Sequence, residues 1–134
     1  MKDFRTAFFF LRLPVAVSLL GHGLVRLPKL PDFSTWMVKT MEKSTIPEAL
    51  IVPFSYFLPV AEAVIGLLLL INIKTEYTLY AALVLMSILT AGSCSIENWM
   101  AIEAQLLHCV YLFGLFCFYK RFSGKANGDS VNVK

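Results

Sequence analysis

The feature that most constrains this chain is the stretch from Ile51 to Ile73, IVPFSYFLPVAEAVIGLLLLINI, which holds a single carboxylate, Glu62. A helix of about 20 apolar residues, rising about 1.5 Å per residue, crosses the hydrocarbon core of a bilayer. Glu62 falls near the middle of the stretch and is expected near the membrane midplane. Because a carboxylate facing lipid is costly there, Glu62 should point into a helix bundle toward a partner, which makes it a candidate functional residue.

The composition extends this expectation to the whole chain. Hydrophobic residues make up 57% of the sequence and the mean hydropathy is +0.69, whereas a soluble domain is about 45–50% apolar. A chain of 134 residues has room for about four spanning helices with short connections. The sequence therefore predicts an all-α integral membrane protein, a four-transmembrane-helix bundle with a short amphipathic helix between its first and second spanning helices.

The hydropathy pattern also predicts where these elements lie. We expect one transmembrane domain over residues 1–121, followed by a flexible polar tail at 122–134. In the interfacial segment 31–45, Phe33 and Trp36 recur at helical spacing opposite Lys39. This predicts a helix that either lies in the membrane interface or packs over the mouth of the bundle. The four spanning helices are predicted over about residues 4–27, 50–73, 76–92 and 99–120.

Charge and cysteine content exclude several classes of function. The net charge of +3 is spread over loops and tails without the clustered basic face that nucleic-acid binding requires. Cys94, Cys109 and Cys117 form no CxxC pair and no spacing typical of a metal site, so we expect small buried side chains there. Nucleic acid is therefore not expected as a partner, and no metal site is predicted.

Basic residues near the helix ends predict the orientation. One side of the membrane is expected to carry more of them with few acidic residues, which favours a cytoplasmic position for both termini. The basic residues expected on that side are Lys2, Arg5, Lys74, Lys120, Arg121 and Lys125.

Two polar layers are expected inside the bundle. If each helix is centred in the membrane, Arg12 lies almost level with Glu62, and a pair between them would satisfy both charges. A second layer lies nearer the outer face, where His22 and Glu103 are expected at the same depth and Gln105 and His108 step down toward Glu62. Arg26 shares a helix face with His22, four residues away, and the two side chains could also simply reach the membrane interface.

These layers allow two interpretations. They could form a proton-responsive or quinone-headgroup pocket, because histidines exchange protons near neutral pH and buried charges tune them. They could instead lock the helices in register, with the histidines bonded to backbone or solvent. Haem ligation by His22 and His108 is a less favoured alternative, and no HxxxH or ExxH spacing supports a metal.

Three sequence features together resemble the DoxX-like family of small four-helix membrane proteins. They are Arg12, the segment HGLVR at His22 to Arg26, and the segment PVAEAVIGLLLL at Pro59 to Leu70; Arg26 stands where the family usually has lysine. The resemblance implies a bundle in the bacterial cytoplasmic membrane. Some members are linked to quinone-dependent oxidation or oxidative-stress complexes, and others are assembly factors. The family-like positions are Arg12, His22, Gly23, Arg26, Glu62 and Gly66, and the family supplies no catalytic role for them.

Three functional hypotheses follow. In the first, the chain is the membrane subunit of a quinone-linked redox system, with Arg12, His22, Glu62 and His108 lining the headgroup site. A partner protein would carry the electron-transfer cofactor, because the chain has no flavin, nucleotide or cluster motif. In the second, the chain is a non-enzymatic structural or assembly factor for a membrane complex. In the third, least favoured hypothesis, it is a small proton-coupled transporter. The expected partners are the bilayer, a membrane or peripheral protein, and a second copy of the chain.

Overall fold

The computed structural model describes residues 2–128, and over that range the chain is all-helical. Four of its helices are long and apolar enough to cross a membrane, which confirms the predicted fold class. Short 3-10 turns at Leu27–Lys29 and Met41–Lys43 flank the remaining helix. The α-helices are α1 (Lys2–Arg26), α2 (Leu30–Thr40), α3 (Glu48–Ile71), α4 (Thr75–Ser95) and α5 (Trp99–Gly128).

The last helix continues into the segment that the sequence predicts as a polar tail. α5 runs through residues 122–128, and residues 129–134 of the predicted tail lie outside the described residues. Aromatic stacking accounts for the first part of this extension. The ring of Phe122 lies 5.3 Å from that of Phe4 and 4.8 Å from that of Phe118. These contacts tie the end of α5 to the start of α1, so the helix gains packing where a solvated tail would gain none.

The helices pack around one apolar core. α1 packs most extensively against α3, α4 packs against α3 and α5, and α5 also contacts α1. Large apolar side chains such as Val110, which is 71% exposed, cover the outer faces, as expected for helices surrounded by lipid. The fully buried leucines of the core are Leu19, Leu69, Leu79, Leu112 and Leu115.

A short connection makes α3 and α4 antiparallel. Asn72 ends α3 in the left-handed conformation, with φ 61°, and its N–H donates to the Leu68 carbonyl. Asparagine tolerates this conformation better than most residues. The Thr75 hydroxyl then donates to the Asn72 side-chain oxygen at 2.7 Å. The α3–α4 connection thus lies at the end of the bundle opposite α2, together with the start of α1.

The predicted amphipathic helix forms as α2 and lies across α3. Phe33 and Met37 pack against the core cluster, while Trp36 is exposed. The buried Ser34 and Ser55 side chains connect α2 to α3, with their oxygens 2.7 Å apart. α2 therefore covers one end of the bundle, which we call the α2 end.

Candidate functional site

Two glycines allow α1 and α3 to approach each other closely. A Cβ added to Gly23 would lie 2.6 Å from both the Cβ of Ala63 and the carbonyl oxygen of Pro59, and one added to Gly66 would lie 2.9 Å from the Ala16 carbonyl oxygen. Real Cβ atoms essentially never come so close to other atoms, so only glycine fits at these positions. Small residues at such crossings let helix backbones approach within membranes. The crossing fixes the register of α1 against α3.

This register pairs Glu62 with Arg26. The Arg26 Nη1 donates to the Glu62 Oε2 at 2.7 Å, and the Glu62 side chain is 6% exposed against 30% for Arg26. The guanidinium also lies 4.8 Å from the ring centre of Phe33 in α2, a favourable cation–π distance. The connection through α2 thus places Phe33 over the cation that neutralises the buried carboxylate.

The expected pairing of Arg12 with Glu62 is wrong. Arg12 is level with Leu70, whose carbonyl oxygen lies 3.5 Å from the Arg12 Nη2. Leu70 is eight residues after Glu62, or about 12 Å farther along α3. The expectation assumed that both helices are centred at the same depth, whereas the Gly23 and Gly66 contacts displace α1 along α3. Residues of α1 nearer its C-terminus therefore face Glu62.

Arg12 instead sits at the end of α3, where backbone carbonyls lack helical partners. It is buried, with 8% of its surface exposed, and its guanidinium lies 5.3 Å from the Phe8 ring centre and 5.5 Å from that of Phe9. A cation near a helix C-terminus is stabilised by the helix dipole. Within the described residues, Arg12 Nε has no hydrogen-bond partner. Arg12 thus serves the α1–α3 packing at the end opposite α2.

Both histidines lie on the Glu62 side of the bundle. Arg26 contacts the Glu62 carboxylate directly, whereas His22 and His108 lie near enough for a longer-range effect only. His22 is exposed on α1, with its Nδ1 3.5 Å from the Ser18 hydroxyl. The structure therefore pairs two of the seven residues that the sequence singles out, Glu62 and Arg26, and places both histidines nearby on α1 and α5.

The hydrogen bond of His108 fixes which of its nitrogens is free. His108 Nδ1 lies 2.8 Å from the Ala104 carbonyl oxygen. A carbonyl only accepts, so Nδ1 carries the proton and donates. In the neutral ring, Nε2 then holds a lone pair and acts as the acceptor.

A groove between α1 and α5 lies beside His108. It has a volume of about 240 Å³, is mainly apolar, and includes Pro14, Ser18 and Tyr111 in its lining. The Tyr111 hydroxyl donates to the backbone carbonyl of Leu11, which ties α5 to α1 at one end of the groove. A lipid-soluble molecule could therefore reach His108 laterally from the bilayer.

The other two polar residues of α5 do not join this group. Glu103 is exposed near the start of α5 and takes part in neither of the ion pairs found in residues 2–128. Gln105 turns toward α4, where its Nε2 donates to the Ser93 hydroxyl at 2.9 Å. The predicted polar track thus divides between His108, which lies toward α1, and Gln105, which lies toward α4.

Sequence reasoning missed several residues around the site. Phe33, Ser18 and Tyr111 contact Arg26, His22 and the α1 backbone, respectively. Of the three, only the position of Phe33 near Arg26 could have been predicted, because the short proline-containing turn after Arg26 returns the chain over the end of α1. The described residues contain no group of three histidine, cysteine or acidic side chains placed to hold a metal.

Comparison with known proteins gives one match. The sequence model of the family described as Methylamine utilisation protein MauE matches residues 5–101, which extend from the first turn of α1 to the start of α5. No curated protein and no solved structure matches the chain. The match supports a small multi-pass membrane protein and does not confirm the DoxX-like resemblance.

Proposed function

Because this chain belongs to the Methylamine utilisation protein MauE family, we propose that it is the membrane subunit of a redox system. Its share is to bind the headgroup of a quinone-type carrier in the groove between α1 and α5, with the rest of the carrier in the surrounding lipid, and to present it to a partner protein. The redox centre belongs to that partner, since the chain carries no flavin, nucleotide or cluster motif.

The observations that carry this proposal are the buried Glu62–Arg26 pair and the position of His108 in the wall of the groove. A buried ion pair contributes little net stability compared with well-packed apolar side chains, so packing alone is a weak reason for it. Ionisable groups inside a membrane are candidates for ligand or proton sites. His108 lines the groove, which gives a carrier in the groove a polar contact.

The chemistry suits the headgroup of such a carrier. His108 Nε2 is an acceptor in the neutral ring and can receive a hydrogen bond from a carrier hydroxyl. The apolar walls of the groove, such as Pro14 and Leu107, suit the ring of the headgroup.

The experiment is to purify the protein in detergent and quantify the quinone extracted with it. The native protein is expected to retain quinone, and His108→Leu should lower the retained amount about tenfold, the effect of losing one hydrogen bond of about 1.4 kcal/mol. Ser87→Ala is the matched control, because the Ser87 hydroxyl bonds only to the Leu83 carbonyl of its own helix. Absence of quinone from the native protein, or equal retention by His108→Leu, would contradict the proposal.

A second candidate, a structural or assembly factor, is favoured by the position of the ion pair at the close α1–α3 crossing. There the pair would serve only to hold the two helices in register. In that case Glu62→Gln would lower expression of a co-purifying protein together with the stability of the bundle, and His108→Leu would change neither. The two candidates therefore differ in what they predict for His108.

We further propose that the protein lies in the bacterial cytoplasmic membrane with both termini in the cytoplasm. Support comes from the excess of basic residues at the end opposite α2, including Arg5, Lys74 and Lys120. A reporter that is active only outside the cytoplasm, fused after Lys134, should be inactive. The same reporter inserted after Lys43, at the end of α2, should be active.

A further inference from the structure

A second and larger cavity lies under α2, apart from the groove of the proposed carrier site. Its volume is about 580 Å³, it is open on one side, and α2, α3, α4 and the start of α5 line it. Pockets that hold small ligands have volumes of about 300–1,000 Å³. The aromatic and methionine side chains in its wall come mainly from α2 and α3, namely Phe33, Trp36, Met37, Met41 and Phe54.

The lining determines the charge of a suitable ligand. No aspartate, glutamate, lysine, arginine or histidine lines the cavity, so a charged group placed inside would have no counter-charge. Flexible methionines and aromatic rings adapt to apolar ligands of varied shape. The cavity therefore suits an uncharged molecule with a large apolar part.

Apart from Thr40 of α2, whose hydroxyl donates to the Trp36 carbonyl, the polar side chains of the cavity lie where α4 meets α5. Ser93, Asn98 and Gln105 line this part. Gln105 Nε2 donates to the Ser93 oxygen at 2.9 Å, whereas Gln105 Oε1 is buried and has no donor among the side chains of residues 3–124. A buried carbonyl oxygen without a donor is unfavourable, and most such atoms in proteins have a partner. The oxygen does not itself open onto the cavity, so a ligand hydroxyl reaches it, and removes the penalty, when the Gln105 carboxamide turns toward the cavity.

We propose that this cavity binds an uncharged lipophilic molecule with a hydroxyl head, which donates to Gln105 Oε1 while the tail packs against Phe33 and Phe54. A reduced quinone-type carrier and a hydroxyl-headed membrane lipid share this chemistry. The proposal does not depend on the function proposed above, because neither His108 nor Glu62 lines the cavity.

Trp36 gives a direct measurement. The chain has two tryptophans, so Trp99→Phe leaves Trp36, in the cavity wall, as the single fluorophore. In lipid nanodiscs, 12-bromododecan-1-ol should quench Trp36 in a saturable manner. The corresponding methyl ether has no donor and should bind about tenfold more weakly, the effect of losing one hydrogen bond. Adding Gln105→Leu should make the alcohol and the ether equal.

Two glycines provide matched controls for the cavity itself. Gly92 lines the cavity, and a Cβ there would meet only the Met41 Cε, at 3.8 Å. Gly92→Leu should therefore fill the cavity and abolish saturable quenching. A Cβ on Gly114 would meet nothing within 4 Å, so Gly114→Leu should leave quenching unchanged. Each variant is first checked for a single size-exclusion peak and a native helical spectrum.

Competition identifies the source of the hydroxyl. Displacement of the bromoalcohol by decylubiquinol assigns the ligand to the reduced carriers, and displacement by monoolein assigns it to hydroxyl-headed lipids. Equal quenching by alcohol and ether in the Trp99→Phe protein would overturn the proposal, as would undiminished saturable quenching in Gly92→Leu. Failure of both competitors to displace the bromoalcohol would also count against it.

Discussion

Gly23 of α1 lies directly against the backbone of Ala63 in α3, so that a Cβ on Gly23 would be 2.5 Å from the Ala63 nitrogen. The next residue toward the N-terminus of α3 is Glu62, and three residues after Gly23 comes Arg26. The ion pair therefore depends on the close contact between Gly23 and Ala63. This contact sets the separation of α1 and α3, and so brings the Arg26 guanidinium within reach of the buried Glu62 carboxylate.

Gly23→Ala should destabilise the bundle. The added methyl overlaps α3, and overpacking of this kind costs about 1–3 kcal/mol. Gly21→Ala is the matched control, because a Cβ there meets nothing within 4 Å and alanine favours helix by about 1 kcal/mol over glycine. Unfolding by SDS titration in mixed micelles, followed by circular dichroism, should show opposite shifts. If Gly23→Ala did not change stability, α1 and α3 would have to be farther apart at Gly23 than this contact implies.

Breaking the ion pair on one side should cost more than removing both charges. Arg26→Met leaves the Glu62 carboxylate buried without its partner and should lower the free energy of unfolding by about 3 kcal/mol. This is the low end for buried pairs, because the Arg26 side chain is 30% exposed. The double variant with Glu62→Leu should recover most of this loss. The SDS titration of both single variants and the double variant gives the coupling energy, and additive losses would show that the pair is not coupled.

Arg12→Met should be much milder than Arg26→Met. The change removes two buried cation–π contacts, each up to about 2 kcal/mol, and one long bond to the Leu70 carbonyl. It also removes a buried cation that no carboxylate of residues 3–124 neutralises, and the cost of burying that lone charge offsets the loss. The free energy of unfolding should stay within about 1 kcal/mol of the native value. A loss as large as that of Arg26→Met would reveal a partner for Arg12 that the chain itself does not provide.

Ser55→Ala should loosen α2. The Ser55 oxygen lies 2.6 Å from the Val52 carbonyl and 2.7 Å from the Ser34 oxygen. Because a hydroxyl has one proton to donate, Ser55 donates to the carbonyl and accepts from Ser34. Its loss leaves the buried Ser34 hydroxyl without an acceptor, at a cost of about 1–3 kcal/mol.

Hydrogen exchange measured by mass spectrometry locates this effect. Amides of Leu30–Thr40 should exchange faster in Ser55→Ala, while those of α4 should not change. Ser87→Ala again serves as the control. Uniformly faster exchange throughout the bundle would indicate general destabilisation instead of local detachment of α2.

Much of the architecture could be predicted from hydropathy. Four apolar stretches of spanning length have no alternative to forming helices in a membrane, because each backbone polar group must find its partner within the segment. The amphipathic spacing around Phe33 likewise predicts α2. The extension of α5 could not be read from the polar sequence after Arg121, since its start depends on Phe122 meeting Phe4 from the other end of the chain.

The candidate site was predictable in its members but not in its pairing. Sequence alone determined that Glu62 is buried in a membrane helix and needs a cationic partner, because a lone carboxylate in hydrocarbon is too costly. Only the tertiary structure decided that the partner is Arg26 and not Arg12. Hydropathy fixes which residues lie in the membrane but leaves each helix free to slide along its neighbour. The contacts of Gly23 and Gly66 remove that freedom, and with it the ambiguity about Glu62.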